Sequence, residues 1–92
     1  MQVVRHKMNT IVWTKDDCFY CVMAKNLLND LNVQFEERNI SQGEWTREQL
    51  QEAAPDSKTV PQIFLQGKYI GGFTELKIYI EETGFNGTGY TL

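Results

Sequence analysis

Cys18 and Cys21 enclose Phe19 and Tyr20, and they are the only cysteines in the chain. Two thiols with two residues between them can close a disulfide with little backbone movement. When reduced, they can also attack the disulfide of another molecule. The pair follows a short apolar run, Thr10-Ile11-Val12-Trp13. It opens a segment in which Ala24, Leu27, Leu28 and Leu31 recur at helical spacing. A strand, then Cys-x-x-Cys, then a helix puts the first thiol at a helix N-terminus. There, backbone N–H groups and the helix dipole favour thiolate over thiol.

The pair is not a structural staple. A disulfide stabilises mainly by closing a long loop, and this loop is close to the shortest possible. Zinc is the other use of paired cysteines, but a structural zinc site takes four ligands and this chain adds only His6 to its two cysteines. No metal is expected. The 92 residues, 41% of them apolar, suffice for one small domain with its own core. The net charge of −3, with basic residues scattered, argues against nucleic acid or an anionic membrane as partner. No apolar run approaches the roughly 20 residues of a membrane span, and the first residues lack a signal-peptide apolar region. A cytoplasmic, reducing location is expected, which suits a working dithiol.

Along the chain, residues 1–9 read as an N-terminal appendage, 10–84 as the domain and 85–92 as a C-terminal tail. Thr10–Trp13 is the first strand. Asn32 marks the end of the first helix, and Val33–Ile40 is a second strand. Thr46 and Gln49 form a capping box for a short helix ending before Pro55. Gln62–Leu65 and Lys68–Ile70 are strands joined by a tight Gln66-Gly67 turn. A last helix is expected with Thr74 as N-cap, a Phe73–Ile78 hydrophobic staple and Gly84 just past its end. The order is β-α-β-α-β-β-α.

Three features carry chemistry. In the first, Cys18 should be the more exposed thiol, and Cys21, one turn in, is placed to resolve a mixed disulfide. Lys15 adds a positive charge nearby, while Asp16 and Asp17 oppose it. The second is Thr59-Val60-Pro61, where a cis proline would leave the Val60 backbone free to pair with an extended peptide. The third is Gly71-Gly72-Phe73-Thr74, where backbone can approach a ligand closely and a helix N-terminus can hold a carboxylate. Tyr20, between the cysteines, lines the site.

These motifs at these spacings resemble a dithiol glutaredoxin of the short bacterial and phage type, over about residues 10–84. The residues that carry the likeness are Lys15, Cys18-Phe19-Tyr20-Cys21, Thr59-Val60-Pro61-Gln62-Ile63-Phe64 and Ile70-Gly71-Gly72-Phe73-Thr74. The resemblance implies a thioredoxin fold, a four-stranded mixed sheet flanked by helices, and glutathione as reductant and co-substrate. It implies Cys18 as nucleophile and Cys21 as resolving thiol. The γ-glutamyl carboxylate would sit at Thr74 and Glu75, near Gly72 and Phe73. The glutathione backbone would pair at Val60 beside Pro61, with Lys15, Tyr20 and Thr59 completing the groove. The implied activity is reduction of protein disulfides and glutathionylated proteins by a monomer serving redox homeostasis, with ribonucleotide reductase as one client of the family. If the chain is phage-encoded, the compartment is the host cytoplasm.

Two readings from other classes stand beside it. One is a module holding a [2Fe–2S] cluster through the first cysteine and glutathione. The other is a dithiol supplied by a thioredoxin-type reductase. The chain departs from the common family motif in having Phe19 where proline is usual, and in the acidic Asp16-Asp17 pair.

Overall fold

A computed structural model describes residues 10–85. Its elements are β1 (Ile11–Thr14), α1 (Phe19–Asp30), β2 (Glu36–Asn39), α2 (Arg47–Ala53), β3 (Gln62–Leu65), β4 (Lys68–Gly71) and α3 (Phe73–Thr83). The element order is the one read from the sequence. Residues 1–9 and 86–92, the expected appendage and most of the expected tail, lie outside the described residues.

The four strands form one mixed sheet in the order β2-β1-β3-β4. β1 runs parallel to β2, with Ile11 opposite Glu36, and antiparallel to β3, with Val12 opposite Ile63. The β3–β4 hairpin turns through Gln66 and Gly67, both at positive φ (52° and 85°). That is the twist a two-residue hairpin loop requires.

Side chains alternate across a strand, so β1 serves two faces. Val12 joins Ile63, Leu65, Ala24, Leu28, Val33, Leu76 and Phe85 in the buried core, with α1 and α3 supplying one wall. Phe85, at the start of the expected tail, is buried there and packs its ring 6.4 Å from Tyr79. Trp13, one residue on from Val12, is also buried. Its ring meets Trp45 edge-on at 5.6 Å, and the Arg38 guanidinium lies 4.2 Å from the Trp45 ring centre.

The second strand is shorter than the expected Val33–Ile40, because α1 uses the residues before it to end. Asn32 adopts φ 59°, the Asn32 N–H donates to the Asn29 carbonyl, and the Val33 N–H donates to the Leu28 carbonyl at 2.9 Å. This is a Schellman ending, with Val33 and Leu28 both buried in the core. What remains, Glu36–Asn39, is a polar edge strand.

The start of α3 also differs from expectation. Its N-cap is Gly72, not Thr74, and Phe73 is the first helical residue rather than half of a staple. Ile78, the other expected staple residue, is 46% exposed. The reason lies in Glu75, whose Oε1 accepts the Gly72 N–H at 2.9 Å, the half of a capping box that a glycine allows. Gly71, at φ 118°, makes the approach possible. A Cβ there would stand 3.1 Å from the Glu75 Cγ.

Candidate active site

Cys18 is the N-cap of α1 and forms a disulfide with Cys21, with 5.2 Å between the two Cα atoms. Its backbone is extended, which turns the side chain back over the first helical turn. The Cys21 N–H donates to the Cys18 Sγ at 3.2 Å. Cys21, one turn into the helix, is only 2% exposed, whereas Cys18 is partly open to solvent. The first sulfur is therefore the accessible one. The same N–H that caps the helix would stabilise a thiolate on it. The Val60 carbonyl oxygen lies 3.8 Å from the Cys18 Sγ. Only the reduced thiol has a proton to donate to it.

The Val60–Pro61 bond is cis, as expected. Val60 lies just outside β3. Gln62, buried beside it, donates from Nε2 to the Thr59 carbonyl at 3.0 Å and accepts from the Tyr69 hydroxyl. Side chains thus hold the 59–62 segment against the sheet. Burial raises the Tyr69 phenol above its ordinary 10.0, and the charges of Glu75 and Asp56 push it the same way. Its proton stays in place to make that bond.

Eight of the nine non-cysteine residues expected at the site come together. Tyr20, Thr59, Val60, Pro61, Gly72, Phe73, Thr74 and Glu75 line a cavity of about 310 Å³, with the Tyr20 and Phe73 rings 6.0 Å apart across it. Lys15 is not among them. It lines an adjoining cavity of about 200 Å³ with Arg47, Ser57 and Lys58, and Thr59 and Val60 are shared by both. The two form one trough along the Cys18 side of the molecule. One end is the N-terminus of α3; the other carries three cations and no acid. Sequence reading missed Arg47, Ser57 and Lys58, since nothing in their local pattern connects them to Lys15. The Ser57 hydroxyl is buried without a hydrogen-bond partner, a polar group that a ligand in this cavity could satisfy.

Asp16, expected to act on Cys18, has its carboxylate engaged by two side-chain amides. Its carboxylate accepts from Asn39 Nδ2 at 3.1 Å and Gln42 Nε2 at 3.0 Å, and its own N–H donates to Ser41 Oγ. It ties the loop before α1 to the loop after β2. Asp17 takes the positive-φ position (56°) just before the N-cap.

A third cavity, of about 720 Å³, borders the cysteines from the other side, between the start of α1, β2 and Trp45. In its wall, Glu37 accepts from Thr14 Oγ1 at 2.7 Å and from Lys25 Nζ at 2.9 Å. Burial raises the Glu37 carboxyl pKa, but these two bonds outweigh it and hold the group below its ordinary 4.5.

The glutaredoxin family model matches residues 10–70. The chain belongs to the glutaredoxin family. With it, the chain joins the thiol–disulfide oxidoreductases, and the Cys18–Cys21 pair is the redox-active one. It is 35% identical to Escherichia coli glutaredoxin 1 over 81 residues, covering 82% of this chain and 95% of that one. It is 38% identical to bovine mitochondrial glutaredoxin-2 over 68 residues, which is 71% of this chain but only 43% of the bovine protein. Among solved structures, reduced E. coli glutaredoxin superposes with a TM-score of 0.69 at 34% identity, covering 79% of this chain and 93% of that one. A buckwheat glutaredoxin–glutathione complex gives 0.69 at 25% identity, covering 83% of this chain and 70% of that one. The sheet and helices are thus those of the thioredoxin fold. Among the described residues, no helix is long and apolar enough to cross a membrane.

Proposed function

We propose that this protein uses glutathione to reduce protein disulfides and glutathionylated proteins, with Cys18 as nucleophile and Cys21 as resolving thiol. The observation that carries the reading is the accessible Cys18 sulfur at the helix N-cap, beside a trough whose two ends suit the two carboxylates of glutathione. Toward one end, the N–H groups opening α3 around Phe73 and Thr74 receive the γ-glutamyl carboxylate, with Glu75 beside its ammonium. At the other, Lys15, Arg47 and Lys58 receive the glycyl carboxylate. Between them the tripeptide backbone runs past Val60. The buckwheat relative was solved with glutathione bound, which supports the same ligand here.

In the reaction, the Cys18 thiolate attacks the glutathione sulfur of a mixed disulfide. The new S–S bond forms as the old one breaks, and the client leaves as a thiolate that takes a proton from water. A second glutathione thiolate then attacks the same sulfur. It releases glutathione disulfide and returns Cys18 as thiolate. With a protein disulfide, Cys18 first bonds to one client sulfur. Cys21 then displaces the client and leaves the Cys18–Cys21 disulfide, which two glutathiones reduce. A dithiol cycle of this kind belongs in a reducing compartment.

A coupled glutathione-reductase assay tests this. Cys18→Ser should lose both reactions. Cys21→Ser should lose protein-disulfide reduction yet keep deglutathionylation, because glutathione itself resolves that intermediate. Deglutathionylation lost in Cys21→Ser but kept in Cys18→Ser would reverse the assignment.

A further inference from the structure

The two sides of Cys18 differ in charge. The trough contains Lys15, Arg47 and Lys58 at its far end. The 720 Å³ cavity on the opposite side is lined by four carboxylates (Asp16, Asp17, Glu37 and Glu44) against Lys15 and Lys25. Lys25 is already paired with Glu37 at 2.9 Å, and Asp16 is held by Asn39 and Gln42. Asp17 and Glu44 are exposed and, among the described residues, have no ion-pair partner. The lip of this cavity is apolar. Phe19 is 68% exposed and Val22 49%, and one turn of α1 puts both on one face with Trp45 across the gap. An anionic tripeptide has no reason to enter here. A polypeptide carrying cations and aliphatic side chains does.

We propose that this cavity docks the client protein, receiving the segment that flanks the client's reactive cysteine, and that it selects segments combining basic and aliphatic residues. The cationic side is left to glutathione. The inference rests on the reading of Cys18 as the attacking sulfur. It adds what lies on the other side of that sulfur: Asp17 and Glu44 attract the client's lysines and arginines, and Phe19, Val22 and Trp45 cover its aliphatic side chains. Charge complementarity of this kind acts mainly on the rate of encounter, so the preference should appear at low ionic strength and fade with salt.

The test uses two pentapeptides, each with one cysteine capped as a thiopyridyl disulfide. One is built from leucine and arginine, the other from leucine and glutamate. The reduced full-length protein attacks the peptide sulfur, and the released thiopyridone is followed by absorbance without any glutathione. The ratio of the two rates cancels the intrinsic reactivity of Cys18. The expected ratio is about tenfold in favour of the basic peptide at low salt, falling toward unity near 0.5 M. In Glu44→Lys the low-salt ratio should drop to about two or less. Val22→Ser should slow the leucine–arginine peptide by about threefold relative to one with alanine in place of leucine. Equal rates in the wild type, or an undiminished ratio in Glu44→Lys, overturns the proposal. A clear ratio in a protein that fails the glutathione assay keeps the docking surface and removes the glutathione reading. No reaction with either peptide removes both.

Discussion

Replacing Thr46 by alanine tests how a local device in the chain reaches the functional site. Thr46 accepts the Gln49 N–H at 3.1 Å, and Gln49 Oε1 accepts the Thr46 N–H at 2.9 Å. Thr46→Ala removes the first bond and leaves the second without its reciprocal partner. Such a change costs about 1 kcal/mol, within a range of roughly 0.5–2. The helix it caps, Arg47–Ala53, has seven residues and one buried anchor, Leu50. A helix this short has no stability of its own, so the cap and that anchor are what hold it. One kcal/mol is about a fivefold change in the folded-to-unfolded ratio. In a domain of this size it should lower the melting temperature by about 4–8 °C. The functional consequence follows from Arg47, the first helical residue after the cap and part of the cationic end of the trough. Loosening it should raise the KM for a glutathionylated substrate by about two- to fivefold with kcat unchanged, the pattern of a lost uniform-binding contact. Thr46→Ser keeps the acceptor and should stay near wild type in both measurements. Calorimetry and steady-state kinetics on the two variants decide the matter. If Thr46→Ala melts within about 1 °C of wild type, or Thr46→Ser falls as far as alanine does, the cap is not what holds α2.

Gly71→Ala should destabilise by more than about 1 kcal/mol, because alanine is strained at φ 118° and its Cβ would press on the Glu75 Cγ; chemical denaturation measures this. Leu28→Ala, at a fully buried position, should cost about 2–5 kcal/mol by the same method, and a loss below 1 kcal/mol would mean that α1 does not anchor the core. Glu37 gives a pH dependence of known sign. Its folded carboxyl titrates below 4.5, so the unfolded chain binds more protons, and the stabilisation present above pH 4.5 is lost as pH falls through the folded value. Melting temperature plotted against pH should therefore fall less steeply below about pH 4.5 in Glu37→Gln than in the wild type, and parallel curves would show that the Thr14 and Lys25 contacts do not persist in solution.

What the sequence determined by itself is what a window of a few residues can settle. The Cys18-x-x-Cys21 spacing at a helix head, the Thr46–Gln49 capping box, the Gln66-Gly67 turn and the Asn32 helix end all rest on contacts within about five positions. Each stands in the structure as read. The tertiary structure decided which of several competing local contacts form, and everything that depends on partners far apart in the chain. Val33 left its strand because its N–H and side chain were needed to finish α1. The start of α3 moved from Thr74 to Gly72 because Glu75 could reach back over a glycine that no other residue would replace without strain. Lys15 left the pocket at α3 and joined Arg47 and Lys58, residues more than thirty positions away in the chain. Asp16 gained Asn39 and Gln42 as partners once β1 and β2 lay side by side. The charge difference across Cys18 has the same origin. Each contributing residue is unremarkable in its own stretch of sequence, and only the register of the sheet and the placement of α2 bring Arg47 and Lys58 to one side of the sulfur and four carboxylates to the other, with Lys15 bordering both.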